Sequence, residues 1–201
     1  MGRSSKSQAD ENRARIVGVA TDLFSEHGVE AVSIADVMVA AGMTQGGFYK
    51  HFSSKDALAA EACAHAFARA SKAWRQKVAQ AKGSGEPGLP GLISYYFASK
   101  PPKWTCPMVG LGQDAAAQAP GTPLHSAYAE GVSELLEAFG DAVGATGESA
   151  VSRDRELLLF AAMVGANFLC RAIGNEPRIE EMKRIVLGEA DRSAESQPSA
   201  D

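Results

Sequence analysis

Residues 33–52, SIADVMVAAGMTQGGFYKHF, constrain the chain more than any other stretch, because they encode two short helices around a two-residue turn. Ser33 and Asp36 have the spacing of a capping box, and Val32 and Val37 are placed as a hydrophobic staple across the same helix start. Gly42 ends that helix, since a left-handed residue after the last turn is cheap only for glycine. Thr44 then stands where it would cap a second helix. Ile34, Val37, Met38, Ala41, Met43, Phe48 and Phe52 form one apolar set able to pack both helices on a third. That leaves Gln45, Gly46, Gly47, Tyr49, Lys50 and His51 to solvent, the outline of a helix-turn-helix that reads DNA.

The second of these helices is poorly composed as a piece of core. Gly46 and Gly47 in its first turn cost roughly 1 kcal/mol each against alanine, which makes sense where the backbone must come close to something. Without side chains there, the turn can enter a major groove and Gln45 can offer its amide to a base edge. Thr44, Tyr49, Lys50 and His51 carry donors of the kind that hold phosphate oxygens, and Ser33 at the first helix start joins this set. Lys55 falls at the start of the next helix, after Ser53 and Ser54, where the N-terminal dipole and a lysine together favour a phosphate. The plainer alternative is an ordinary solvated face.

With these residues in view, the segment from Ile16 through Leu58 resembles the DNA-binding domain of the TetR family of one-component transcriptional regulators. The resemblance lies in a first helix ending in Phe24 and Gly28, the helix-turn-helix, the aromatic-basic-aromatic end from Tyr49 to Phe52, and the Ser-Lys start of a long fourth helix. Met38 stands where many members carry a small residue. The GGFY.HF form resembles a branch with a Cys-Pro dipeptide at a later helix start, which Cys106 and Pro107 reproduce. The resemblance implies an all-α fold: an N-terminal three-helix helix-turn-helix domain followed by a helical ligand-binding and dimerisation domain. We expect an arm and reader over residues 1–53, the helical domain over 54–189, and a disordered tail over 190–201.

Composition narrows the partners. The 201-residue chain has a net charge of −4, which argues against binding nucleic acid by bulk charge. Residues 1–55 balance six basic side chains (Arg3, Lys6, Arg13, Arg15, Lys50, Lys55) against six acidic ones, but residues 37–55 contain no acid. A local basic face is what phosphate contact needs. No run approaches the roughly 18 apolar residues of a membrane span, and the start lacks a signal-peptide core, so the expected location is cytoplasmic with no membrane partner. Cys63, Cys106 and Cys170 make an odd, widely spaced set that suits reduced thiols. The polar ends MGRSSKSQA and DRSAESQPSAD read as disordered.

Beyond the reader the periodicity is helical throughout. A long helix is predicted from Ser54 to about Lys82, with shorter ones near 89–99 and 107–117 and longer ones near 124–143 and from Leu157 to Ile173, then a last one from Pro177. Trp74, Tyr96, Phe97, Trp104, Cys106, Met108 and Phe168 are the candidate effector-binding residues, because aromatics on short helices separated by loops leave room between helices of a bundle. The same residues would serve as plain core. The 157–173 segment is apolar around its whole circumference, so one side needs a partner; the resemblance implies that with the final amphipathic helix it forms a homodimer seam, the helix near 124–143 being the alternative. Cys106, just before Pro107, would sit at a helix start where backbone N–H groups stabilise a thiolate, although packing is the first choice for it.

Catalytic, metal and cofactor readings find no support. Cys63 and His65 point about 200° apart on a helix, and the GSGEPG stretch follows a helix and lacks a P-loop lysine. No catalytic residue, cofactor or metal ligand is assigned, and the chain is not expected to be an enzyme. The overall expectation is a ligand-responsive transcriptional repressor that binds a palindromic double-stranded operator as a homodimer and is released by a small apolar or electrophilic effector. The alternative is a helical small-molecule-binding or detoxifying protein with a vestigial helix-turn-helix.

Overall fold

A computed structural model describes residues 2–98, 106–144 and 153–195, and every described regular element is helical. The chain forms two compact units, one from residues 1–69 and 100–132, the other from 70–99 and 133–201. Helices α3 and α7 each contribute to both.

In the first unit, α1 (Gly2–His27) buries Ile16, Ala20 and Phe24, spaced four apart on one face. Its start is helical where the sequence suggested disorder. The exposed polar residues there pair one turn apart, Ser7 with Glu11 and Gln8 with Asn12 at 3.3 Å each, which extends a helix that has no core beneath it. α2 (Ile34–Ala40) and a 3₁₀ helix (Gln45–Lys50) follow, then α3 (Lys55–Ser84), whose start is capped by Ser54 Oγ accepting from the Ala57 N–H at 3.0 Å. α3 is tied to α1 by an Arg13–Glu61 ion pair, by Arg69 donating to Asp22 at 2.8 Å, and by Thr21, whose hydroxyl lies 3.2 Å from the Ala62 carbonyl.

The expected single helix near 107–117 is two short ones, α5 (Pro107–Gly110) and α6 (Gly112–Ala116), broken at Leu111 between two glycines. The first part of α7 (Pro123–Gly144) presses Gly131 onto the Phe67 ring: a Cβ at Gly131 would stand 2.2 Å from the ring.

The second unit holds the end of α3, α4 (Gly88–Phe97), the end of α7, α8 (Arg153–Ile173) and α9 (Pro177–Glu195). Its aromatic core joins Trp74 edge-on to both Tyr96 and Phe160, and Phe160 to Phe139. An Arg155–Glu189 ion pair links α8 to α9. α9 runs to Glu195, so the first residues of the expected 190–201 tail continue an amphipathic helix already anchored by Ile179, Val186 and Ala190. Residues 196–201 lie outside the described residues.

One helix is more apolar than the absence of a long apolar run suggested. α8 is long and apolar enough to cross a membrane by length and composition, because its alanines, glycine and methionine count toward hydropathy between the larger residues. It leaves Leu158 68%, Phe168 56% and Ile173 59% exposed, and α9 adds Met182 and Ile185.

Candidate nucleic-acid interface

The capping box forms as the sequence requires. Ser33 Oγ accepts from the Asp36 N–H at 3.1 Å, and Asp36 Oδ2 accepts from the Ser33 N–H at 2.9 Å. The Ser33 hydroxyl also donates to Asp36, and these bonds hold the Asp36 carboxyl below its usual range. Ser33, one of the expected DNA contacts, therefore already uses its hydroxyl locally. At the other end of α2, Gly42 takes φ +71, the Met43 N–H reaches the Met38 carbonyl at 2.8 Å, and the Gly42 N–H reaches Val39 at 3.0 Å. This is a Schellman motif, and it aims the chain into the next helix without a long loop.

That next helix is a 3₁₀ helix. Thr44 stands at its start without a side-chain cap; instead its carbonyl accepts from the Gly47 N–H at 3.0 Å, the tight i→i+3 bond that Gln-Gly-Gly, with few strong helix formers, settles into. Phe48 is wholly buried and stacks on Phe52 with centroids 5.6 Å apart, which fixes the inner side of the 3₁₀ helix, packed on α2. The Arg13 guanidinium lies 4.5 Å over the Phe52 ring, a cation–π support that sequence spacing did not reveal.

The outward face carries the predicted readers. Thr44, Gln45, Gly46 and Lys50 are exposed, Tyr49 is 70% exposed and edge-on to Phe48, and Gly47 and His51 are half-buried. Lys55 is half-buried, with its ammonium 3.4 Å from the Glu30 carbonyl. Val39, missed at the sequence level because it lies off the apolar stripe, is 75% exposed beside the turn and adds a methyl-bearing surface to this face. The arrangement offers one amide, hydroxyls, a cation and an apolar spot on a side-chain-free turn.

A family model described as "Bacterial regulatory proteins, tetR family" matches residues 16–62, which span this whole arrangement. Residues 16–62 thus match the tetR family. Within it, 61 residues are 43% identical to the HTH-type transcriptional regulator AcrR of Shigella flexneri, covering 30% of this chain and 28% of that protein. Another 49-residue match is 37% identical to the HTH-type transcriptional repressor KstR2 of Rhodococcus jostii, covering 24% of each. The chain thus spans about a quarter of the length of the curated relatives it matches. The full-length fold is shared as well: a TetR transcriptional regulator from Chloroflexus aurantiacus superimposes with a TM-score of 0.75 at 22% identity, over 92% of this chain and 97% of that one. By name, both curated relatives are HTH-type transcriptional regulators.

The candidate effector residues are drawn from both units. Trp74 and Tyr96 are buried and Phe97 half-buried in one aromatic row of the second unit, Tyr96 and Phe97 being 5.7 Å apart. Cys106 and Met108 belong to the first unit, where Cys106 is half-buried at the start of a helix only four residues long. Phe168 points outward on α8 and is not part of the aromatic row. Trp104, with Lys100 and Lys103, lies outside the described residues. Phe160 joins Trp74 unforeseen; its position three residues before Met163 on α8 was the available signal. Among the described residues no group of three or more His, Cys, Asp and Glu side chains is placed to hold a metal ion.

Proposed function

We propose that this tetR-family protein is a transcriptional repressor that binds a two-fold symmetric operator as a homodimer and releases it when a small apolar or electrophilic molecule binds outside the reader. The observation that carries this reading is the acid-free exposed face of Gln45, Tyr49 and Lys50, set on a 3₁₀ helix that the buried Phe48 fixes to the core. A face of this kind supplies phosphate contacts for register and a base-edge contact for sequence. The name of KstR2 as a repressor supports the sign of regulation.

The apolar faces of α8 and α9 support self-association. Leu158, Phe168, Ile173, Met182 and Ile185 are 42–68% exposed, more large apolar side chains on two helices than a lone soluble chain usually leaves bare. A two-fold pairing of these helices gives two readers whose half-sites lie about one helical turn, or a multiple of it, apart. An effector acts only through its preference for a conformation whose readers are wrongly spaced. The aromatic row of Trp74, Tyr96 and Phe97 favours an apolar ligand.

Selection of genomic fragments by the purified full-length protein tests the reading. The expected result is enrichment of an inverted repeat, with affinity falling as salt rises. A chain that enriches no sequence at physiological salt overturns the proposal and favours the small-molecule-binding alternative.

A further inference from the structure

The end of α1 carries an incomplete cap. Gly28 takes φ +84 and its N–H reaches the Phe24 carbonyl at 2.9 Å, the single-bond left-handed ending of a helix. In the fuller Schellman ending, as after α2, the next N–H also returns to the helix. Here that N–H belongs to Val29, which is 4% exposed, and it turns away from α1 to donate to Asp114 Oδ1 at 2.9 Å. A buried N–H needs an acceptor, so the chain entering the helix-turn-helix takes one from α6, 85 residues away.

The α5–α6 segment that carries Asp114 is itself anchored on its far side. Tyr128 of α7 donates its hydroxyl to the Met108 carbonyl at 2.8 Å, and the same hydroxyl stands 3.1 Å from where a Cβ on Gly112 would lie. Tyr128 in turn packs edge-on to Phe67 of α3. Asp114 lies close enough to Cys63 that its charge, after burial, helps push that thiol up to about 12. All of these groups sit in the first compact unit, together with the reader.

We infer that Asp114 is a positioning residue of the reader: its carboxylate caps the Val29 N–H and so sets the angle at which α2 and the 3₁₀ helix leave α1. The inference rests on the proposed DNA-binding function.

The test uses the full-length protein with two variants at one position. Asp114→Asn keeps an Oδ1 acceptor, and Asp114→Ala removes it. Hydrogen exchange at the Val29 amide is expected to speed up in Asp114→Ala and to stay near the wild-type rate in Asp114→Asn. Affinity for the selected operator is expected to fall about tenfold in Asp114→Ala alone, while affinity for scrambled DNA is unchanged. A merely structural role would move both DNA affinities together through the folded fraction, or neither. Should Asp114→Ala fail to fold, Tyr128→Phe, which deletes one hydroxyl and releases the far anchor, carries the test with the same expected sign. Wild-type protein that selects no operator overturns both the functional reading and this inference. A selective wild type whose variants bind the operator equally well overturns the inference alone.

Discussion

Gly46→Ala separates the needs of the fold from those of the DNA. Gly46 does not have a positive φ, and a Cβ built on it meets nothing within 4 Å. Nothing inside the protein requires glycine there. Alanine at a compatible position stabilises by about 0.4–1 kcal/mol, mainly by restricting the unfolded chain, and about 1 kcal/mol moves the melting point of a domain this size by about 2–4 °C. Thermal unfolding should therefore rise by up to about 2–4 °C.

The new methyl group stands on the exposed turn, where the backbone would approach the groove. It holds Gln45 off the base edge, at a cost of about 1–3 kcal/mol in discrimination, or about 5- to 150-fold in selected-operator affinity. Binding to scrambled DNA, which depends on Tyr49 and Lys50, should hardly change. The assay is thermal melting of the purified variant together with competition between selected and scrambled DNA at two salt concentrations. A variant that is more stable and binds the operator as tightly as wild type shows that the glycine does not serve close approach. A lower melting point shows that the local conformation was misjudged.

The reader's other residues make distinct predictions. Lys50→Ala should weaken binding to all sequences and lower the salt slope by about one, whereas Gln45→Ala should relax sequence preference by about 1–3 kcal/mol; equal loss of specificity in the two competition titrations contradicts the roles. Replacing Phe168 by Glu on the exposed face of α8 should yield monomers by light scattering with the helical content of wild type, and a dimer that persists moves the seam elsewhere. Among the cysteines, Cys63, wholly buried and pushed up by burial to about 12, should resist alkylation at neutral pH, while Cys170, whose Sγ lies 3.3 Å from Lys183 Nζ, should be labelled first and slow down in Lys183→Met. Cys106 should fall between them; faster labelling of Cys106 than of Cys170, with loss of DNA on labelling, would make it a sensor after all.

What the sequence makes legible here is whatever depends on a residue's own backbone or on near neighbours. The capping box at Ser33 and Asp36, the left-handed Gly42, the burial of Phe48 and Phe52 and the extent of α3 all follow from spacings of a few residues, and each is found in place. The 3₁₀ winding of Gln45–Lys50 was less legible, because two adjacent glycines lower the helical preference without naming the alternative. Arg13 over Phe52 and Asp114 beneath Val29 were not legible at all. Their partners are 39 and 85 residues apart in the chain, and a single arginine or aspartate looks locally like any other surface charge.

Phe168 shows where such reading stays open for a physical reason. A ligand pocket, a domain core and a dimer seam are all built from large apolar side chains, so composition assigns Phe168 equally well to any of them. Exposure separates them: Trp74 and Tyr96 turn inward beside Phe160, while Phe168, like Leu158 and Ile173, is left exposed. A residue buried by its own chain is worth about 1.5–3 kcal/mol to the monomer, and the same residue exposed contributes that only when another surface covers it. Truncating Trp74 should therefore lower the stability of the chain at any concentration, whereas truncating Phe168 should act only through assembly and show itself as a concentration-dependent melting point. Equal destabilisation of both variants at all concentrations would return Phe168 to the interior and leave the exposed face of α8 without its proposed role.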